Sequence, residues 1–291
     1  MSKISVCDIN SPKEYNWEKY VQVDWREHMV SLDTGINMAY WDMGPEDGEA
    51  VMLIHGVTDG HISWMHIVPR LAAEGFHCYV VDCRGNGKTD SPHVDGGYTP
   101  QLTAKDILNL MAKESIGKVH LVGHSYGSFV AQILSAEAPH KFGRVILMDT
   151  AVSCAGNKIL EDALKDVMNI ENMPYEFYTE WATMGNEDPN FQKAALEHLL
   201  EMSPIAWKNL MTGTMAFDNE DGICHMGNPI TVIWGTEDAI FTYEDQAKLL
   251  KALHGHPVKF VPVEGASHSG FWDSMETSKK YAELIAANCR L

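Results

Sequence analysis

The sequence predicts an α/β protein with a mostly parallel, doubly wound sheet of about eight strands and a helical lid inserted after the sixth strand. Two observations indicate this class. Short apolar runs alternate with amphipathic stretches up to residue 150 and resume after residue 228, which is typical of a parallel sheet covered by helices. Between them, over 151–228, helical patterns follow one another without a buried strand. We therefore expect an N-terminal arm (1–24), a core (25–150 and 229–291) and the lid (151–228).

The strands are predicted from apolar runs of strand length that are bounded by turn residues. A turn at Asp33, Thr34 and Gly35 separates the first two runs, which we expect to form an antiparallel hairpin. The eight predicted strands are 28–32, 36–43, 50–54, 78–81, 119–122, 144–148, 230–234 and 258–263. The predicted core helices are 64–73, 103–113, 128–137, 243–253 and 275–287, and an N-cap followed by proline opens each of the lid helices 191–202 and 205–215.

Composition restricts the class of partner. The chain has 291 residues, 45% of them hydrophobic, which is enough for one large domain with a sizeable core. Its 22 basic and 40 acidic residues give a net charge of −18, so we expect neither nucleic acid nor a membrane as a partner. The six cysteines lack metal-ligand spacing, and the sequence contains no signal-peptide core and no apolar run of about 18 residues. We expect a cytoplasmic protein without metal or cofactor.

A G-x-S-x-G motif over residues 123–127 is the strongest chemical signal. An apolar strand runs into it and a helical stretch runs out of it. A sharp strand-to-helix turn would expose Ser125 above the sheet edge, and side chains at positions 123 and 127 would clash there, which accounts for Gly123 and Gly127. A serine hydroxyl needs a nearby base to attack a carbonyl. Ser125 is therefore the predicted nucleophile.

The base and the acid are expected in loops that follow late strands. His268 lies in a loop of small residues after the last predicted strand, whereas His124, beside the nucleophile, should point into the body and have a structural role. Asp238 follows the strand before it and is our candidate for the acid that orients His268. Glu237 would point away, and Asp149 is the other candidate, which we interpret as a structural carboxylate at a strand end.

Two backbone N–H groups are predicted to bind the oxyanion. One belongs to Tyr126, which follows the nucleophile. The other is expected in the loop after the strand 50–54, where Gly56 lets the backbone pass close to the substrate. Val57 N–H is our candidate in that loop.

These motifs together resemble the α/β-hydrolase superfamily. The matches are His55-Gly56, the D-x-R-G-x-G-x-T stretch at 82–89, the Ser125 turn, and the segments 235–238 and 265–268. The resemblance covers about residues 25–291, and it implies a Ser–Asp–His order of catalytic residues and a structural role for 82–89. A serine in place of aspartate as nucleophile differs from haloalkane dehalogenases and epoxide hydrolases. The His55 loop lacks both the Gly-Pro-Gly of proline iminopeptidases and the glycine run of many carboxylesterases. The chain is most similar to lidded esterases, lactonases and cofactor-free perhydrolases.

The lid is expected to determine substrate specificity. It carries seven of the sixteen methionines and 13 acidic against 4 basic residues, a net charge of −9. Methionine adapts to irregular apolar ligands, although packing of the lid on the core would also explain these residues. We predict that Trp181 and Met184 face the pocket and that the substrate is a largely apolar, uncharged small molecule.

The predicted function is hydrolysis of a carboxylic ester or lactone through an acyl-enzyme. Two alternatives use the same residues. One is a ligand receptor or sensor that turns over slowly, and the other is acyl transfer to an acceptor other than water, as in a perhydrolase.

Overall fold

The computed structural model describes residues 25–183 and 188–290. Within them, eight strands form one sheet. The strands are β1 (Arg26–Ser31), β2 (Asn37–Met43), β3 (Glu49–Ile54), β4 (Phe76–Val81), β5 (Val119–His124), β6 (Phe142–Met148), β7 (Ile230–Gly235) and β8 (Val258–Val263). Their order across the sheet is β1-β2-β4-β3-β5-β6-β7-β8.

The sheet is antiparallel at one edge and parallel everywhere else. Strands β1 and β2 form the predicted hairpin, and β2 pairs antiparallel with β4. The pairs from β4 to β8 are all parallel. The inner strands are buried on both faces, as at Val51–Ile54, because helices cover both sides of the sheet. The predicted fold class is confirmed.

The core helices connect successive strands or follow β8. Those before the insertion are α1 (Val68–Ala73), α2 (Pro100–Lys113) and α3 (Tyr126–Glu137), and those after it are α8 (Tyr243–Ala252) between β7 and β8, and α9 (Gly270–Asp273) and α10 (Met275–Cys289) after β8. The single helix predicted over 64–73 is wrong, because a 3-10 turn at His61–Trp64 precedes α1 and Pro69 sits in the first turn of α1. Helix α2 begins three residues earlier than predicted because Thr99 caps it and Pro100 is its first residue.

Between β6 and β7 the described residues form four further α-helices. They are α4 (Lys158–Val167), α5 (Tyr175–Thr183), α6 (Pro189–Glu201) and α7 (Pro204–Met215). The Ser203 side chain accepts a hydrogen bond from the Ala206 N–H, so the predicted cap of α7 is present. The strand-like pairing described in this insertion is one isolated bridge, between Ser153 and Asp218. The predicted arm, residues 1–24, lies outside the described residues.

Parallel pairing brings the carboxyl ends of six strands to one edge of the sheet. Strand β3 ends at Ile54, β4 at Val81, β5 at His124, β6 at Met148, β7 at Gly235 and β8 at Val263. The loops that follow these strands carry the predicted site residues. Among the described residues, none of the helices is long and apolar enough to cross a membrane.

Candidate active site

Ser125 sits on a strained turn between β5 and α3. Its backbone has φ 50° and ψ −117°, a conformation that a residue with a side chain adopts only when its surroundings impose it. A Cβ added to Gly123 would overlap the backbone of Gly127, and one added to Gly127 would overlap the carbonyl of Ile54. Gly123 is therefore required by the close approach of α3 to β5, and Gly127 by that of α3 to β3.

His268 and Asp238 form a buried hydrogen bond. The distance between His268 Nδ1 and Asp238 Oδ2 is 2.9 Å. The other carboxylate oxygen of Asp238 accepts hydrogen bonds from the N–H groups of Ile240 at 2.8 Å and Phe241 at 2.9 Å. Because the carboxylate accepts, His268 Nδ1 carries the proton and Nε2 is left with its lone pair. The imidazole is thus held in the tautomer that a general base requires.

The two other acids considered for this position lie elsewhere. Glu237 is exposed. Asp149 is buried at the end of β6 and accepts a hydrogen bond from the Gly235 N–H at 2.8 Å. Burial, together with the negative charge of Asp238, raises the pKa of Asp149 well above its ordinary value, which favours the neutral acid at this position. Of the three carboxylates, Asp238 is the one bonded to His268.

The loop after β3 is fixed by the buried imidazole of His55. Its Nδ1 donates to the Gly56 carbonyl at 2.7 Å, and its Nε2 accepts from the Cys83 N–H at 2.9 Å. Burial lowers the pKa of His55 to about 4, so the ring stays neutral and can accept that bond. Thr58, at φ 60°, accepts a hydrogen bond from Trp181 Nε1 at 2.9 Å, which ties the loop to α5.

The two predicted oxyanion donors have free N–H groups. Over residues 25–183 and 188–290, neither the Val57 N–H nor the Tyr126 N–H donates a hydrogen bond to a protein acceptor. Tyr126 is the first residue of α3, where the N–H groups have no partner inside the helix and the helix dipole favours negative charge. The phenol of Tyr126 is bonded to Thr103 Oγ1 at 2.7 Å, away from this position.

A cavity of about 410 Å³ is shared by the nucleophile turn, the loop of the base and the loop after β3. Ser125, His268 and Val57 all line it. Within the described part of the chain, no hydrogen bond joins Ser125 Oγ to His268, and such contacts are often long before a substrate binds.

The insertion supplies most of the apolar cavity wall. Trp181 of α5 and, among the described methionines of the insertion, Met211 of α7 line the cavity. Met184 lies outside the described residues. Sequence reasoning missed Phe241 and Trp272, which line the cavity from the loops that carry Asp238 and His268, because side-chain direction within a loop has no sequence period.

The cavity wall is acidic. Asp59, Asp166 and Glu180 line it, and no lysine or arginine of the described residues does. Asp59 was also missed, although it lies in the same short loop as Val57. In the described chain no group of three or more His, Cys, Asp or Glu side chains is arranged to hold a metal ion.

His124 is buried, as predicted, but it also contacts the base loop. Its Nε2 lies 2.8 Å from the carbonyl oxygen of His268. A carbonyl only accepts, so His124 Nε2 carries the proton. This contact places His124 among the residues that hold His268.

Comparison with known proteins shows the fold and matches part of the chain to a family. A family model described as the alpha/beta hydrolase fold matches residues 49–180. The esterase from Exiguobacterium antarcticum superposes with a TM-score of 0.80 at 17% identity, covering 91% of this chain and 100% of that one. The enol-lactonase from Burkholderia xenovorans superposes with a TM-score of 0.78 at 17% identity, with the same coverage. The chain therefore has the α/β-hydrolase fold, and residues 49–180 match the family of that name.

A relative of similar length is itself a named hydrolase. The 2-hydroxy-6-oxononadienedioate/2-hydroxy-6-oxononatrienedioate hydrolase of Burkholderia vietnamiensis is 28% identical over 285 residues, which cover 92% of this chain and 93% of that protein. The chain is therefore an enzyme of the α/β-hydrolase class.

The acid assignment of this α/β-hydrolase can be tested with a pair of variants. Asp238→Asn should lower kcat for p-nitrophenyl butyrate by about 10³–10⁴-fold, because an amide cannot hold His268 in the required tautomer. Asp149→Asn is the matched control and should keep kcat within about tenfold, since an amide mimics the neutral acid at that position. Loss of activity in Asp149→Asn with activity retained in Asp238→Asn would contradict the assignment.

Proposed function

We propose that this enzyme is a serine hydrolase that cleaves a carboxylic ester or lactone through an acyl-enzyme. Ser125 is the nucleophile, His268 the base and Asp238 the acid that orients it. The observation that carries the proposal is the 2.9 Å bond from His268 Nδ1 to Asp238, in a cavity that His268 shares with the strained Ser125.

Acylation begins with the attack of Ser125 Oγ on the substrate carbonyl carbon, while its proton passes to His268 Nε2. The tetrahedral oxyanion binds the N–H groups of Val57 and Tyr126, for which residues 25–183 and 188–290 hold no competing acceptor. The C–O bond to the leaving group then breaks, and His268 gives its proton to the departing alkoxide. The carboxylate of Asp238 stabilises the imidazolium in between.

Deacylation repeats the cycle with water. His268 removes a proton from water as its oxygen attacks the acyl ester, and the second oxyanion uses the same two N–H groups. Collapse releases the carboxylic acid, and the proton returns to Ser125 Oγ. The sequence of steps consumes one water and requires no redox change.

The substrate we propose is small, largely apolar and uncharged. A cavity of about 410 Å³ suits a molecule of modest size, and its walls are mainly apolar side chains of the helical insertion, which we propose acts as the lid. The carboxylates of Asp166 and Glu180, without a lysine or arginine among the described lining residues, disfavour an anion. The dioate named for the Burkholderia vietnamiensis relative is such an anion, so we propose a different substrate here. The cytoplasmic location stays a prediction.

Ser125→Ala should abolish hydrolysis of p-nitrophenyl butyrate, because no other group in the proposal attacks the carbonyl. The wild-type enzyme should complete many turnovers, whereas a single slow turnover would favour a receptor. Ser135→Ala is the matched control, since Ser135 lies on α3, which begins at the same turn, and its hydroxyl donates to Asn228 away from the cavity. Activity that survives in Ser125→Ala would contradict the proposal, and Ser135→Ala should remain active.

Substrate charge gives a second test. The kcat/KM for the mono-p-nitrophenyl ester of succinic acid should be roughly tenfold or more below that for p-nitrophenyl butyrate, since the free carboxylate meets an acidic wall. The gap should narrow in 1 M salt because ions screen the exposed part of the field. Equal or faster hydrolysis of the succinate ester at low salt would refute the proposed preference.

A further inference from the structure

A small space beside Gly56 separates two polar atoms that the catalytic cycle does not use. A Cβ added to Gly56 would lie 2.6 Å from Asp59 Oδ2 and 3.0 Å from His124 Nδ1. The two atoms therefore flank the same gap, one from the loop after β3 and the other from the last residue of β5.

His124 faces this gap with a hydrogen-bond acceptor. Its Nε2 proton is committed to the His268 carbonyl. Burial lowers the pKa of His124 well below its ordinary value, so the ring is neutral and Nδ1 keeps a lone pair. His124 is 2% exposed, and Nδ1 is buried without a hydrogen-bond partner in the described chain. A buried acceptor of this kind is costly unless a donor reaches it.

Asp59 is placed to be that donor. Its carboxyl group lines the Ser125 cavity, and burial raises its pKa to about 7, against a smaller opposing effect of a hydrogen bond from the Gly56 backbone. Below that pH the carboxyl group carries a proton and has an O–H to give.

The groups around Asp59 do not favour its ionised form. His55 in its own loop and His198 of α6 have pKa values lowered by burial, so neither ring supplies a positive charge. On the cavity side, Asp166 and Glu180 add negative charge. No lysine or arginine of the described residues lines the cavity. Among the described residues, the titratable groups that face Asp59 or share its cavity are His55, Cys83, His124, His198, His268, Asp166 and Glu180.

We propose that Asp59 is a positioning residue that works as a neutral acid, donating its proton to His124 Nδ1 directly or through one water. The bond joins the oxyanion loop to the nucleophile turn and, through His124, to the carbonyl of His268. The inference rests on the proposed serine-hydrolase function, since it concerns how the three catalytic loops are held together.

Ionisation of Asp59 would remove the proposed hydrogen bond to His124. Without its proton the carboxylate faces a lone pair on His124, and the bond between the loops is lost. Its negative charge also lies two residues from the Val57 N–H, where a second negative charge develops on the substrate. Activity should therefore fall as pH rises through the pKa of Asp59, on the alkaline side of the profile, where a histidine base alone produces no loss.

The test is the pH profile of kcat/KM for p-nitrophenyl butyrate from pH 5 to pH 9. Wild-type activity should fall about tenfold per pH unit above about pH 7, or about 100-fold by pH 9. Asp59→Asn should lack this fall and exceed the wild type at pH 9, because its amide N–H₂ donates to His124 Nδ1 at every pH. Asp59→Ala should also lack the fall but be slower than Asp59→Asn throughout, since it has no donor.

Asp166→Asn is the matched control, because it removes an exposed carboxylate of the same cavity and should keep the alkaline fall. Circular dichroism at pH 6 and pH 9 confirms that each protein compared is folded. The inference is overturned if the wild type shows no alkaline fall, if Asp59→Asn retains it, or if Asp166→Asn removes it equally. Activity in Ser125→Ala would instead refute the proposed function, so the two failures are distinguishable.

Discussion

The close approach of helix α3 to strands β3 and β5 is the constraint on which the rest of the site depends. It requires bare backbone at Gly123 and Gly127, because a Cβ at either position would overlap main-chain atoms. It also forces Ser125 into a strained conformation that only the surrounding sheet can impose. The same packing brings the first N–H of α3 beside the loop that carries Val57, so one contact positions both the nucleophile and the proposed oxyanion donors.

Strain is concentrated at this edge of the sheet. Of the four described residues other than glycine with positive φ, Thr58, Ser125 and Asp149 follow β3, β5 and β6, and Ser115 lies elsewhere. Each of the three is held by buried hydrogen bonds or by packing at the end of its strand. Loops fixed in this way keep donors and acceptors in place before a substrate arrives, which is the condition for electrostatic stabilisation of an oxyanion.

The fold and the candidate triad could be predicted because their signals are local in the sequence. Apolar runs of strand length located the sheet, and the glycines beside Ser125 marked a turn that tolerates no side chains. The wall of the cavity could not be predicted in the same way. Phe241 and Trp272 lie in irregular loops, and the helix expected over 64–73 was interrupted before Pro69.

The role proposed for Asp59 depends on contacts that are visible only in the folded structure. Its loop was recognised from the His55-Gly56 motif, but the sequence does not reveal that its carboxyl group reaches the gap beside His124. Nor does it reveal that the Nε2–H of His124 donates its hydrogen bond to the His268 carbonyl in the base loop. Positioning of this kind arises from tautomers and burial, whereas the identity of a nucleophile follows from residue type and turn geometry.

The central claim is that Ser125 is the nucleophile, and covalent labelling tests it most directly. The enzyme is treated with a fluorophosphonate ester, and peptide mass spectrometry then locates the phosphonyl group while ester hydrolysis is followed in the same samples. Our account predicts one label per chain, on Ser125, with activity lost in proportion to labelling. Hydrolysis that persists in protein fully labelled at Ser125, or inactivation by a label on another residue, would contradict it.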